Sequence, residues 1–284
     1  MYRLVFRFFP KRHFSRLMGV VAAVAWPGWL LQPCLGLYVR FFRIDMGQFQ
    51  VPPEGFATFN AFFTRPVRPE ARPIDDVPES LVSPVDGTVI TCDPVSRGRM
   101  IQAKGIDYAL EDLLGQSPGW EAYDGGQALT AYLSPRDYHR IHAPCAGSVV
   151  RHAYIPGDLW TVSPVGVRQV RGLFARNERV VSFIETAFGE VALVAVGATV
   201  VGGIRVVYNA MRSNRPGAVP FNETLATPHP LDKGAEWGRF EIGSTIILLL
   251  RPGEAAFAPL HPGDPLRMGE AIGAITPARP GEGA

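Results

Sequence analysis

The chain of 284 residues is poor in cysteine and in lysine. Its three cysteines, Cys34, Cys92 and Cys145, are odd in number and show no C-x-x-C spacing. Neither a disulfide framework nor a zinc ribbon is therefore indicated, and the composition favours a reducing compartment. The length and an apolar content of 47% are sufficient for one large domain or two modest ones with a sizeable core.

Acidic residues are absent from the first 44 positions. These positions carry seven basic residues, so the remaining 240 hold 21 basic and 26 acidic groups, a net charge of −5. The basic end is also the most apolar part of the chain, which makes nucleic acid a poor partner and favours an anionic membrane surface. The seven basic residues are Arg3, Arg7, Lys11, Arg12, Arg16, Arg40 and Arg43.

Long uninterrupted hydrophobic runs are also missing. Between Arg16 and Arg40 lie 23 uncharged residues, which is long enough to cross a bilayer, but Pro27 and Pro33 interrupt them. We expect an interfacial or shallowly inserted helical hairpin, with the arginines at lipid headgroups. The alternatives are a single span and a secretory signal cleaved near Ala23-Val24-Ala25. The expected interface anchors are Trp26, Trp29 and Tyr38.

Phenylalanines recur at helical spacing before Pro66, which predicts a short helix from about Glu54 to Arg65 with an aromatic packing face. A proline-rich connector follows. The chain is accordingly divided into a basic, apolar, membrane-associating segment (residues 1–53) and a domain that carries the candidate site residues (residues 54–284).

From residue 80 onward, short β-branched runs are punctuated by glycine and proline. Two of them, 83–92 and 143–152, share the form small-Pro-x-x-Gly-small-Val. The pattern predicts an α+β fold with a mainly antiparallel β body, a flattened barrel or sandwich with hairpins like those of biotinyl and lipoyl carriers. Residues 209–237 are polar, rich in turn formers and predicted to form a long loop.

The scarcity of lysine disfavours the carrier function, because a swinging-arm protein needs a lysine on a hairpin tip. The three lysines are Lys11, Lys104 and Lys233. Lys11 and Lys233 lie far outside the two similar segments, and the sequence gives no hairpin signal around Lys104.

The segment YLSPRDYHRIHAP contains two histidines. Ser134 can cap a short helix, with Asp137 completing a capping-box-like pair, and His139 and His142 then share one helix face. Three interpretations stay open: a metal site with Asp86 as third ligand, two histidines that pack or face water, and an acid and base pair. No H-E-x-x-H extension supports the metal site.

The acid-base interpretation connects distant parts of the chain. Asp86 stands in a turn between Pro84 and Gly87, where a carboxylate can orient an imidazole. Asp86, His142 and Ser244 would then form an Asp, His, Ser arrangement. Ser244 belongs to a Gly-Ser-Thr sequence in front of the buried-strand run IILLL, which is not a G-x-S-x-G elbow, so an α/β-hydrolase is disfavoured.

Eight segments, read together, resemble the bacterial phosphatidylserine decarboxylases. They occur in order over nearly the whole chain from about residue 54. Taken singly, only the histidine segment and Gly-Ser-Thr are specific to this family. All eight segments in the same order are a strong indication of it. At residue 242 this chain has Ile where the family commonly has Leu. The segments are FNAFFTR, SPVDG, QAKG, YLSPRDYHRIHAP, PGDLWTV, LFARNERV, VGATVVGGI and GRFEIGST.

This resemblance implies a pyruvoyl-dependent carboxy-lyase that converts phosphatidylserine into phosphatidylethanolamine and CO2, a step of phospholipid biosynthesis. It implies self-cleavage between Gly243 and Ser244 into two chains, 1–243 and 244–284. Ser244 would become the pyruvoyl cofactor, and no metal is expected.

The resemblance also implies roles and partners. His142 is the base of self-cleavage, oriented by Asp86, the substrate amine forms a Schiff base with the pyruvoyl group, and His139 is the candidate proton donor to Cα. The implied partners are phosphatidylserine in an anionic membrane and the two chains of one precursor. A homodimer stays open, and nucleic acid is not expected. Peripheral attachment to the cytoplasmic face of the cell membrane is expected. A Ser/His/Asp hydrolase and a non-enzymatic biotinyl-like β module at the membrane are the alternatives.

Overall fold

The computed structural model describes residues 11–103, 105–199, 203–241 and 244–276. These residues form an α+β structure of mostly antiparallel strands and short helices, as predicted. The α-helices are α1 (Lys11–Ala23), α2 (Gly28–Phe42), α3 (Phe59–Phe63), α4 (Leu110–Leu113), α5 (Pro164–Gln169) and α6 (Leu173–Arg176). Short 3-10 helices cover Met46–Gln48, Pro69–Ala71 and Trp120–Tyr123.

The strands follow one another through the second and third quarters of the chain and its C-terminal part. They are β1 (Ser80–Val82), β2 (Gly87–Pro94), β3 (Arg99–Ala103), β4 (Ile106–Ala109), β5 (Gln127–Leu133), β6 (Arg140–His142), β7 (Gly147–Ile155), β8 (Arg179–Thr186), β9 (Gly189–Val196), β10 (Ile204–Val206), β11 (Phe221–Leu231), β12 (Glu236–Phe240), β13 (Ser244–Leu250), β14 (Ala255–Phe257), β15 (Pro265–Leu266) and β16 (Ala271–Ile275).

The largest sheet has eight antiparallel strands in the order β11-β7-β8-β9-β13-β5-β2-β15. Its edge strands, β11 and β15, do not pair with each other in the part of the chain that the structure describes, so the predicted flattened barrel is wrong. Similar turn sequences specify local hairpins, whereas closure depends on strand tilt and stagger around the whole sheet. Two three-stranded sheets, β10-β12-β6 and β1-β16-β14, complete the main body.

The central strands of the eight-stranded sheet are buried on both faces, and β13 shows this most clearly. Ile246, Leu248 and Leu250 belong to an apolar cluster shared with the two three-stranded sheets. Ile247 and Leu249 belong to a second cluster shared with helices α4 and α6. Successive side chains of a strand point to opposite faces, so a continuous apolar run is what a strand buried on both faces requires.

The uncharged N-terminal stretch is divided between α1 and α2, which are separated by four residues. None of the described helices is long and apolar enough to cross a membrane. Leu31 and Leu35 of α2 pack in an apolar cluster with Phe56 and Phe62, so one side of the helix pair is attached to the body. Large apolar side chains on its other parts are exposed; they include Leu17, Val20, Trp29, Leu37 and Phe41.

Two of the arginines expected at lipid headgroups contact the protein instead. Arg12 Nε donates a hydrogen bond to the carbonyl oxygen of Gly157 at 3.0 Å. Arg16 donates through Nε and Nη2 to the carbonyl oxygens of Asn214 and Arg215, at 3.3 and 3.2 Å. These contacts attach the start of α1 to the body.

Helix α3 confirms the predicted helix but is shorter than 54–65. It begins after Thr58, whose Oγ1 accepts a hydrogen bond from the backbone N–H of Ala61 at 2.9 Å. Phe62 and Phe63 of this helix are almost completely buried, so the aromatic face is a packing face, as predicted.

Part of the predicted long loop 209–237 is strand β11 (Phe221–Leu231), which pairs with β7 at the edge of the main sheet. Its register shifts between Thr224 and His229. An edge strand tolerates proline, here Pro228 and Pro230, because one side of the strand makes no ladder hydrogen bonds. The turn-forming composition therefore misled the sequence prediction.

The structure also has a hairpin with one strand on either side of Lys104, which no signal in the sequence indicated. Strands β3 and β4 pair as a hairpin, with Ala103 opposite Ile106. Lys104 itself lies outside the described residues.

Candidate active site

Ser244 is the first residue of β13, and its backbone lies opposite Leu133, the last residue of β5. Thr245 lies opposite Tyr132 on one side and Val196 on the other. Gly243 lies outside the described residues, as does the side chain of Ser244. The apolar run of β13 thus fixes the Ser244 backbone at the point where β5 ends.

The chain leaves β5 through a turn and enters β6, so the predicted helix for the histidine segment is wrong. The expected contact between Ser134 and Asp137 is nevertheless present: Ser134 donates to Asp137 Oδ2 through its backbone N–H at 2.6 Å and its hydroxyl at 2.7 Å. A side-chain acceptor three residues after a backbone donor stabilises a single turn as well as the start of a helix. Here the chain continues from the turn into β6, which pairs with β12, and no helix follows.

His142 lies on β6 with both ring nitrogens hydrogen-bonded. Nδ1 donates to the carbonyl oxygen of Gly234 at 2.7 Å, and Nε2 accepts from the Tyr138 hydroxyl at 3.0 Å. Burial lowers the pKa of His142 below its ordinary value of 6.5, although the Gly234 carbonyl opposes this shift. The neutral ring therefore carries its proton on Nδ1 and presents the basic lone pair on Nε2.

His139 occupies a different environment. Its ring is fully buried and stacks on Phe63 of α3, with ring centroids 3.9 Å apart. Burial, and then the positive charge of Arg65, lower the pKa of His139 to about 3. His139 is therefore neutral at neutral pH in this form of the chain.

The two histidines do not form a metal site with Asp86 in the described parts of the chain, where no group of three or more histidine, cysteine or acidic side chains is placed to hold a metal ion. His139 precedes β6 and stacks on Phe63, whereas His142 on β6 binds the Gly234 carbonyl, so the two rings occupy different environments.

The carboxylate of Asp86 binds Arg72. Arg72 donates through Nε to Oδ1 at 2.8 Å and through Nη2 to Oδ2 at 2.5 Å, which is a bidentate pair. The backbone N–H of Met268 donates to Oδ1 at 2.9 Å. Both charged side chains are less than 10% exposed, and the hydrogen bonds to Asp86 raise the pKa of Arg72.

Asp86 and His142 are near one another without sharing a hydrogen bond in the described structure. The backbone N–H of His142 donates to the carbonyl oxygen of Pro84 at 2.8 Å, which brings the Asp86 turn beside β6. Burial is the main influence on the pKa of His142, and the negative charge of Asp86 acts weakly in the opposite direction, to raise it.

Sequence reasoning missed three groups that hold the site: the Arg72 guanidinium, the Tyr138 hydroxyl and the Gly234 carbonyl. Tyr138 stands inside the histidine segment, so its proximity to His142 could have been inferred. Nothing in the proline-rich connector distinguishes Arg72 from its basic neighbours. Gly234 lies 92 residues from His142, and only the pairing of β12 with β6 brings it close.

An apolar cavity of about 660 Å3 lies between the N-terminal helices and the main body. Leu133, which is opposite Ser244, lines this cavity, as does Phe63, which stacks on His139. Tyr38 of α2 also lines it and donates a hydrogen bond to the carbonyl oxygen of Pro135 at 3.4 Å. Further lining residues from the helices and the body are Met18, Ala22, Leu31, Val162 and Ala198.

A family profile described as phosphatidylserine decarboxylase matches residues 59–274. Similar curated proteins carry the name phosphatidylserine decarboxylase proenzyme. The one from Anaeromyxobacter sp. is 44% identical over 271 residues, 94% of this chain and 95% of the relative. Those from Shewanella frigidimarina and Brevibacillus brevis are 42% and 41% identical over 269 and 266 residues, covering 92% and 93% of this chain and 93% and 94% of the relatives.

These matches define the class of the protein, which is a carboxy-lyase of phospholipid biosynthesis. Its relatives are named as proenzymes, that is, zymogens. The chain belongs to the phosphatidylserine decarboxylase family. This membership confirms the resemblance seen in the sequence and decides against the Ser/His/Asp hydrolase and the non-enzymatic β module.

Replacing Arg72 by Met should strongly destabilise the fold, because it leaves the Asp86 carboxylate buried without its cation. We expect a loss of about 3 kcal/mol in the free energy of unfolding. Urea unfolding in a Ser244→Ala background measures it, so that the expected cleavage at Ser244 does not enter the comparison. The matched control is Arg99→Met, which breaks the ion pair between Arg99 and Asp107. These two side chains are 50% and 54% exposed, so loss of their ion pair should change the free energy of unfolding far less. Equal losses in the two variants would contradict the importance assigned to the Arg72 pair.

Proposed function

We propose that the protein decarboxylates phosphatidylserine to phosphatidylethanolamine through a pyruvoyl group that it makes from its own Ser244. Family membership supports the reaction class. The observation that carries the site assignment is the position of Ser244, at the head of β13 and opposite Leu133, which lines the apolar cavity. A cavity of that size and character suits the acyl part of a lipid.

Self-cleavage begins when Ser244 Oγ attacks the carbonyl carbon of Gly243. The amide nitrogen leaves the carbonyl and is retained as the amine of residue 244, so the peptide bond becomes an ester. Removal of the Ser244 Cα proton then expels the Gly243 carboxylate. The resulting dehydroalanine takes up water and loses ammonia to leave a pyruvoyl group. Glycine at 243 permits the close approach that this attack requires.

His142 is the proposed base, and the structure gives it a suitable form. Its Nε2 lone pair is free of a proton, and the Tyr138 hydroxyl is the group that must turn aside for it to act. The Gly234 carbonyl fixes the ring orientation. Asp86 supports this base through its charge, while Arg72 and the Met268 N–H hold the carboxylate in place.

Position 244 suits a pyruvoyl group, because it is the first residue of β13. Neighbouring strands hold β13 on both sides, and its first residue is opposite a residue that lines the cavity. When present, the group supplies an electron sink for the electrons released as CO2 departs. His139 is the proposed donor of the proton that returns to Cα. Since burial keeps its ring neutral, the pKa of His139 must rise when the anionic substrate enters.

The two pieces should stay together after the cut. β13 is hydrogen-bonded between β5 and β9, both of which belong to the larger piece. Strand β16 of the smaller piece also pairs with β1. These ladders and the two-sided burial of β13 attach residues 244–284 to the remainder without a covalent link.

We further propose that the helix pair α1 and α2 rests in the surface of an anionic membrane on the cytoplasmic side. The exposed apolar side chains of this pair would enter the interface, while its buried side lines the cavity. Arg40 and Arg43, at the end of α2, would lie near the lipid headgroups. A lipid could then reach the cavity without passing through water.

Mass analysis of the purified protein tests self-cleavage. We expect two pieces, residues 1–243 and a piece of 41 residues with a blocked N-terminus (284 − 243 = 41), in place of one 31.0 kDa chain. Ser244→Ala should remain a single chain because the nucleophile is absent. The matched control, Ser182→Ala, changes another serine of the same sheet and should still be cut. A cut Ser244→Ala chain would rule out this nucleophile.

The pKa of His142 gives a second test. A base must be neutral to act, so a pKa below 6.5 keeps His142 active at neutral pH and withdraws it only in more acidic solution. Histidine-ring NMR of uncut Ser244→Ala protein between about pH 5 and 8 should place its midpoint below 6.5, with His142→Gln identifying the signal. A midpoint above 6.5 would contradict the proposed protonation state.

Binding to vesicles tests the membrane surface. The double variant Trp29→Ser and Phe41→Ser removes side chains that are 79% and 77% exposed. Binding to phosphatidylglycerol-containing vesicles should weaken by at least about tenfold, since burying one large apolar side chain contributes about 1.5–3 kcal/mol. Val219→Ser removes a 73% exposed side chain of the main body and should leave sedimentation with vesicles unchanged. Unaltered binding of the double variant would refute this surface.

A further inference from the structure

Glu241 lies two residues before the proposed cleavage bond, and its carboxylate is almost completely buried. Arg205 donates from Nε to Glu241 Oε1 at 2.7 Å, and Arg212 Nη2 lies 2.5 Å from Oε2. The amide of Asn60, on α3, lies 3.5 Å from Oε1. Three segments that are distant in sequence therefore meet at this one carboxylate.

The backbone of the same segment is attached as well. The N–H of Glu241 donates to the carbonyl oxygen of Gly203 at 2.8 Å, and the N–H of Phe240 donates to the carbonyl oxygen of His139 at 3.0 Å. On the other side of the bond, the Ser244 backbone is fixed by its pairing with Leu133. Only residues 242 and 243 separate the two fixed points.

Each residue spans at most about 3.3–3.6 Å, so a fixed point two residues before a bond limits where that bond can lie. Attack of a hydroxyl on a neighbouring carbonyl needs the reacting atoms about 3–3.5 Å apart and correctly oriented, and a displacement of 1 Å can cost about 100-fold in rate. The side of the bond that carries the carbonyl is the side that Glu241 holds.

Loss of the Glu241 charge would also disturb its partners. Arg205 and Arg212 are bridged by backbone pairing, so without the carboxylate two guanidinium groups would face each other. Like charges repel, and the Arg205 and Arg212 side chains, 40% and 22% exposed, are only partly surrounded by screening solvent. The segment before the bond would then have to move.

We propose that Glu241, held by Arg205 and Arg212, is a positioning residue for self-cleavage that sets the place of the Gly243 carbonyl before Ser244. This inference rests on the proposed self-cleavage. It assigns Glu241 no contact with the substrate and no role in proton transfer.

The test follows cutting in time after cell-free synthesis of the full chain with labelled methionine, which marks both pieces. Glu241→Ala should be cut about 10- to 100-fold more slowly than the unaltered chain. Glu241→Gln, which keeps an acceptor oxygen without the charge, should be intermediate. Arg212→Met should also slow cutting, and combining it with Glu241→Ala should add little, because both changes remove the same interaction.

Glu190 provides the matched control. Its carboxylate lies 2.5 Å from Arg251 and 3.5 Å from Arg151, and Arg251 directly follows β13. Glu190→Ala therefore removes a comparable pair of arginine contacts at the opposite end of the same strand. It should lower the unfolding temperature, as Glu241→Ala does, but leave the rate of cutting close to that of the unaltered chain.

The possible outcomes distinguish failure of the positioning role from failure of the proposed self-cleavage. A folded Glu241→Ala chain cut at the unaltered rate, or an equal slowing by Glu190→Ala, overturns the positioning role. If Glu241→Ala fails to fold, Glu241→Gln decides, and an unaltered rate in that variant overturns the inference. An unaltered chain that is never cut would instead refute the proposed self-cleavage.

Discussion

The pairing of β13 with β5 on one side and β9 on the other is the interaction on which the rest of the structure depends. Its hydrogen bonds and two-sided apolar burial fix the position of the Ser244 backbone. The same pairing places Ser244 where β5 gives way to the turn that leads to His142. A chain broken at this point would keep its smaller piece, because the strand is held by neighbours and not by the preceding residues.

In the described residues, arginines pair with two buried carboxylates near this strand. Asp86 binds Arg72, and Glu241 binds Arg205 and Arg212. A planar guanidinium offers several donors in fixed directions and can satisfy both carboxylate oxygens, whereas an ammonium acts as a point charge. The scarcity of lysine in the composition is consistent with this use of arginine, which both neutralises the Asp86 and Glu241 carboxylates and fixes their orientation.

The N-terminal helix pair packs against the body on one side and exposes large apolar side chains on the other. Arg12 and Arg16 attach α1 to backbone carbonyls, and Leu31 packs inside, while Trp29 and Phe41 face outward. The apolar cavity lies between these helices and the body, so the residues that close it also carry the exposed apolar surface. The proposed binding at a lipid interface and the proposed entry to the cavity would therefore both depend on one pair of helices.

The sequence by itself determined the family, the antiparallel β character, the two-sided burial of β13 and the Ser134–Asp137 contact, because these depend on local pattern and ordered motifs. Tertiary structure decided which groups meet. The capping pattern closed a turn instead of a helix because β6 found a partner in β12, and residues 221–231 became an edge strand because β7 offered a free edge. The partner of Asp86 and the orientation of His142 were decided likewise, since buried polar groups take whatever donors and acceptors the folded chain brings within reach.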